Sequence, residues 1–174
     1  MLRHPINIHY AALVAALSAV SIIPALRAQT PAHNHAIVEW YADLSPAKSP
    51  KNPSQGMQAR LVQTPSTGTV TTSFDFDHRT VTFHVEAKDI PGVRTIEVRT
   101  VRSHGELGGP TIFTLYDSHD GPFSGTLTKS VTGQSFTQVA TPILNGQAAV
   151  VVTTEANPDG EIAGMIAMHK RYEK

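Results

Sequence analysis

Cysteine is absent from the 174 residues. That absence excludes disulfides, thiolate zinc sites, cysteine nucleophiles and lipid attachment at an N-terminal cysteine, so any core holds by packing alone. Net charge is absent as well: 14 lysines and arginines balance 14 aspartates and glutamates. The positive excess that binding to a phosphate backbone demands is missing, and nucleic acid is not an expected partner. Tryptophan occurs once, at Trp40. No internal repeat or heptad is evident, and no stretch carries a convincing helical period. The length suits one domain with short appendages. Export without disulfides is unusual for a small animal ectodomain and ordinary for a bacterial envelope protein, which points to a bacterial source.

The longest apolar stretch lies at the start of the chain. Residues 1–28 run from a basic beginning (Arg3, His4) through an apolar stretch over 11–23 to Pro24-Ala25-Leu26-Arg27-Ala28, before Gln29. This is the order of a secretory signal peptide. The stretch is shorter than the roughly 20 residues that span a bilayer, and Leu26 and Ala28 supply the minus-three and minus-one positions for cleavage. Cleavage there leaves 12 basic residues against 14 acidic ones. The remainder reads as a flexible N-terminal segment (29–35), one β domain (36–168) and a charged C-terminal tail (169–174). The expected location is secreted or periplasmic, with no membrane insertion after cleavage.

Beyond residue 36 the apolar pattern has the two-residue period of half-buried strands, punctuated by glycine, proline and aspartate. Val70, Phe74 and Phe76 share one parity, and Val81, Phe83 and Val85 alternate with Thr82, His84 and Glu86. Asp77-His78-Arg79-Thr80 between them reads as a hairpin turn. Asp89-Ile90-Pro91-Gly92 reads as a second turn, 94–102 as a strand, 105–110 as a glycine-rich loop and 111–116 as a strand. Strands over 148–154 and 161–168 flank Asn157-Pro158-Asp159-Gly160, where proline presets the turn and glycine tolerates positive φ. Residues 45–55, with Pro46, Pro50 and Pro53, read as an exposed loop. The order of short strands and turns predicts an antiparallel β-sandwich or barrel.

The closing stretch Ile143-Leu144-Asn145-Gly146, followed by Asn157-Pro158-Asp159-Gly160-Glu161-Ile162-Ala163-Gly164, resembles the ending of the CHRD (chordin) domain family. Two further stretches agree with it: Thr67-Gly68-Thr69-Val70 leading into 74–85, and Gly109-Pro110-Thr111-Ile112-Phe113. The resemblance covers roughly residues 37–168. It implies an exported, immunoglobulin-like β-sandwich or barrel and no general catalytic activity. Many members carry a His-Ile-His triplet on the strand before the Gly-Pro loop and a His-Thr in the last hairpin, a plausible start for a metal site. This chain departs from both. The triplet falls on Glu97-Val98-Arg99 or Thr100-Val101-Arg102, and the His-Thr position holds Thr153-Thr154.

Candidate chemistry is sparse. His33 and His35 follow the cleavage point and offer copper or zinc two imidazoles, fewer than the four ligands of a structural zinc site. His104 and His119 are the other metal candidates, provided folding gathers the scattered histidines His78, His84, His104, His119 and His169. The bland reading places His78 in a turn, His84 outward beside Glu86, and His119 in a turn. Asp117-Ser118-His119-Asp120 holds hydrolase residue types, yet adjacent residues do not form a triad, and its oxygens lack the spacing of a dedicated calcium cage. Glu97 and Arg99 share a strand face and offer a contact with a partner; Trp40 and Tyr41 offer an aromatic anchor, with core packing as the plainer use. The expectation is a non-catalytic binding or structural module without a cofactor. It meets an unidentified envelope or extracellular protein, with self-association through a sheet edge open to it. The alternative is a copper- or zinc-binding envelope protein.

Overall fold

The computed structural model describes residues 37–47, 62–101 and 109–168, all within one compact unit of the chain. Branched and aromatic side chains favour a pleated, half-buried surface, and among the described residues they form nine strands, every pairing antiparallel. These are β1 Val38–Pro46, β2 Thr67–Asp75, β3 Thr80–Lys88, β4 Val93–Thr100, β5 Thr111–Asp117, β6 Thr126–Thr132, β7 Ala148–Thr154, β8 Ile162–Met165 and β9 Ala167–Met168. A 3-10 turn, Ser118–Asp120, follows β5, and one helix, α1 Gln134–Leu144, separates β6 from β7. Hydrogen-bonded neighbours run β5-β4-β7-β8-β1-β2-β3-β6, with β9 beside β1. β5 and β6, at the ends of that order, are not paired with each other, and α1 touches both. The fold is an all-β, nearly closed barrel-like sheet whose two edges meet the same helix.

Alternation decides what enters the core. Val70, Thr72 and Phe74 of β2 and Val81, Phe83 and Val85 of β3 are all buried, matched in register as Phe74 with Val81 and Val70 with Val85. Fully burying such a side chain stabilises by about 1.5–3 kcal/mol. β7 is buried along its whole length. Ala148, Val150 and Val152 join the main core, while Val151 packs with Ala47 and Ala163 in a small second cluster.

The structure corrects several sequence expectations. Phe76 leaves its strand parity for the turn, where it is exposed, stacks on Phe74 and meets Phe136 of α1 edge-on. Residues 45 and 46 are not loop: they end β1 and pair with Ala163 and Ile162 of β8. Proline is tolerated at such a terminal position because few ladder bonds remain to be lost; residues 48–61 lie outside the described residues. The strand expected over 94–102 stops at Thr100. The one expected over 161–168 divides at Ile166, whose N–H turns back to the Ala148 carbonyl while Ala167 and Met168 pair with Tyr41 and Trp40. The helix was not expected at all, although Phe136, Val139, Ala140 and Ile143 form its buried stripe at helical spacing. Among the described residues no helix is long and apolar enough to cross a membrane.

Candidate functional site

β4 lies between β5 and β7, and its ladders slip out of regular register near Val93/Thr95, Ile96/Glu97 and Val98/Arg99. Such irregularities bend a strand and re-aim its side chains. Ile96 and Val98 remain in the core, while Arg94, Thr95, Glu97 and Arg99 line an open cleft of about 370 Å³. Thr153 of β7 belongs to its lining, as do Asp117 at the end of β5, Ser118 and His119 of the 3-10 turn and Pro158 of the β7–β8 turn.

The cleft is polar and internally bonded. Arg99 Nε donates to Glu97 Oε2 at 2.7 Å, and the Thr111 hydroxyl donates to the same oxygen at 2.9 Å. Only 17% of the Arg99 side chain and 15% of the Glu97 side chain is exposed, so the pair is shielded from water more than an ordinary surface ion pair. The Thr95 and Thr153 hydroxyls lie 2.8 Å apart, and the Thr95 N–H donates to Thr153 Oγ1 at 3.1 Å. At the rim, the Asp117 carboxylate caps the 3-10 turn by accepting from the His119 N–H at 2.9 Å. Among the described residues, neither the terminal amino groups of Arg99 nor the Arg94 side chain has a hydrogen-bond or ion-pair partner.

Folding thus brings together Glu97, Arg99 and His119, three residues singled out from the sequence. The other candidates lie elsewhere. Trp40 faces the core at 7% exposure, against Phe74. Tyr41 lies on the outer face, its hydroxyl donating to Glu39. His33, His35, His104 and His169 fall outside the described residues. His119 projects into solvent with 94% of its side chain exposed. His84 contacts Thr128 and Glu86 at 3.0 and 3.2 Å. His78 contacts Asp75 at 2.7 Å, and that hydrogen bond, then the carboxylate's charge, raises the imidazole pKa above its ordinary value. Among the described residues no three His, Asp or Glu side chains are grouped to hold a metal ion. In one of the two registers that the resemblance allows, its histidine triplet falls on 97–99; Glu97 and Arg99 line this cleft together with Thr153, and none of the three is histidine.

Sequence reasoning missed a second polar cluster. Glu161 is buried, yet it gathers Asn157, Thr154 at 3.0 Å and Ser66 at 3.3 Å. Its chemistry is that of a latch: the bonds from Thr154 and Ser66 tie the β7–β8 turn to β7 and to the entry of β2, and the bond from Asn157 braces the turn itself. The Asn-Pro-x-Gly-Glu spacing was the available signal, and only the return of Ser66 across the fold shows what the glutamate holds.

A family model described as CHRD domain matches residues 47–166. No curated protein matches the chain, and no solved structure does.

Proposed function

The chain belongs to the CHRD domain family, and we propose that it is an exported, non-catalytic binding module that meets another protein through the β4 cleft. The observation carrying this reading is the Glu97–Arg99 pair, which lines an open polar cleft and is held in place by its own hydrogen bond and by one from Thr111. Binding sites combine a preformed concavity with a few fixed polar groups, and ordering those groups in advance lowers the entropy cost of association. Support against catalysis comes from the same cleft. Arg99 is already bonded to Glu97, Asp117 is used as a cap, and among the described residues of the cleft no nucleophile is hydrogen-bonded to a base that a third group orients. The signal-peptide pattern of 1–28 supports export. CHRD is not a known enzyme family.

The test is site-specific photo-crosslinking from the full chain in its native host, with the probe at Ser118 in the cleft or at Thr128 on the outer face of β6. A discrete adduct to another protein from position 118, absent from position 128, is the expected result. Adducts at neither position, or the same adducts at both, overturn it.

A further inference from the structure

β6 ends the hydrogen-bonded order on one side: among the described residues it pairs with β3 and with no other strand. An edge strand offers a row of unpaired backbone N–H and C=O groups to any chain that can lie beside it. α1 follows β6 closely and touches it, yet Thr126, Thr128, Lys129, Ser130 and Thr132 stay exposed, Leu127 is half-buried and Val131 alone is buried. β6 contributes no residue to the β4 cleft, so this edge and that cleft are tested separately.

Alternation sorts the strand into two rows. Leu127 and Val131 pack on the core opposite Val85 and Val81 of β3, and Lys129 shares their parity opposite the fully buried Phe83. Thr126, Thr128, Ser130 and Thr132 form the outer row, where the Thr128 hydroxyl lies 3.0 Å from His84 Nδ1 and the Ser130 hydroxyl 2.9 Å from that of Thr82. By side-chain class, Thr-Leu-Thr-Lys-Ser-Val-Thr reads alike in both directions, with Lys129 at its centre.

A two-fold contact requires a surface complementary to itself. With a second copy laid antiparallel along β6 about an axis through Lys129, Leu127 meets Val131 of the second copy, Thr128 meets its Ser130 and Thr126 meets its Thr132. Cross-strand pairs of these kinds stabilise a ladder, whereas like charges directly opposite each other oppose it. Lysine is the one residue that meets its own kind of charge. Among the described residues Lys129 has no hydrogen-bond or ion-pair partner to neutralise it.

We infer that β6 is a pairing edge for a second copy of this chain, and that the charge of Lys129, at the symmetry axis, holds the two copies apart. A charge on the core-facing row is one device by which edge strands avoid pairing. With that charge removed, the sheets join across β6 through backbone hydrogen bonds, with apolar pairs on the core side and hydroxyl pairs on the outer side.

The experiment is sedimentation of the full chain over a range of concentrations, for wild type, Lys129→Leu and Lys129→Arg. Lys129→Leu is expected to dimerise about tenfold or more tightly than wild type, and Lys129→Arg to follow wild type. Because the chain has no cysteine, a single one reports the register. Lys129→Cys is expected to yield a disulfide-linked dimer on mild oxidation. Thr126→Cys is expected to yield none, because its counterpart would lie about 20 Å along the strand. Should Lys129→Leu precipitate, the two cysteine variants decide. Equal association of wild type and Lys129→Leu, association of Lys129→Arg to the same extent as Lys129→Leu, or crosslinking from position 129 no greater than from position 126 overturns the inference.

Discussion

The Thr154 hydroxyl donates to Glu161 Oε2 at 3.0 Å, tying the end of β7 to the start of β8 across their connecting turn. Asn157 donates to the same oxygen from within the turn, and Ser66 reaches the other oxygen from the residue before β2. Burial pushes the carboxyl pKa up, but the hydrogen bonds from Thr64, Asn157, Thr154 and Ser66 together outweigh it and hold the group below its ordinary 4.5. A folded pKa below the unfolded one stabilises fully above about pH 4.5, and that contribution is lost as the pH falls through the folded value. Glu161→Gln is expected to lower stability at neutral pH by about 1–3 kcal/mol and to flatten the acid limb of the stability profile. Thermal melts from pH 7 down to pH 3 check both effects; an unchanged acid limb in the variant would assign it to other carboxylates.

Gly164 shows a different constraint. A Cβ built there stands 2.3 Å from the Asp43 carbonyl oxygen, a backbone atom that cannot swing aside. Gly146→Ala, by contrast, meets nothing within 4 Å and suffers only its φ of +67°. Gly164→Ala is therefore expected to cost about 3 kcal/mol, and Gly146→Ala about 1 kcal/mol. Urea denaturation of the two variants ranks them; equal losses would mean that β8 can shift away from β1.

The strands that could be read from sequence were those whose parity is enforced by burial on one face, such as β2 and β3 with Val70, Phe74, Val81, Phe83 and Val85. β6 could not be read that way, because an edge strand with only Val131 buried carries one core residue and a run of threonine and serine. Pro142 masked α1, although near the helix end it forfeits a single hydrogen bond and leaves the stripe of Phe136, Val139, Ala140 and Ile143 intact. Of the cleft, the pairing of Glu97 with Arg99 follows from strand alternation. The approach of Asp117, Ser118 and His119 depends on how β5 pairs with an irregular β4, and local sequence carries no record of that.

Among the described residues, neither Trp40 Nε1 nor Thr72 Oγ1 has a hydrogen-bond partner, although both are buried and their residues lie directly opposite each other on β1 and β2. An unpaired buried polar group costs about 1–3 kcal/mol, and replacing it by an apolar group of similar shape removes that cost. Thr72→Val is expected to leave stability unchanged or raise it by about 1 kcal/mol, read from the denaturation midpoint. A loss of about 1 kcal/mol or more would show that the hydroxyl is satisfied in solution.

Glu97 and Arg99 allow the preorganisation of the cleft to be measured apart from any ligand. Removing either partner leaves a largely shielded charge facing the other's empty place. Removing both eliminates the stranded charge. The double variant Glu97→Ala/Arg99→Ala is therefore expected to lose less stability than the two single losses added together, with a coupling of about 1–2 kcal/mol, where an exposed ion pair gives about 0–1 kcal/mol. Denaturation of the four proteins in the cycle supplies the number. A coupling near zero would mean that the pair forms and breaks freely in water, and the cleft would then have to order its own base each time a partner arrived.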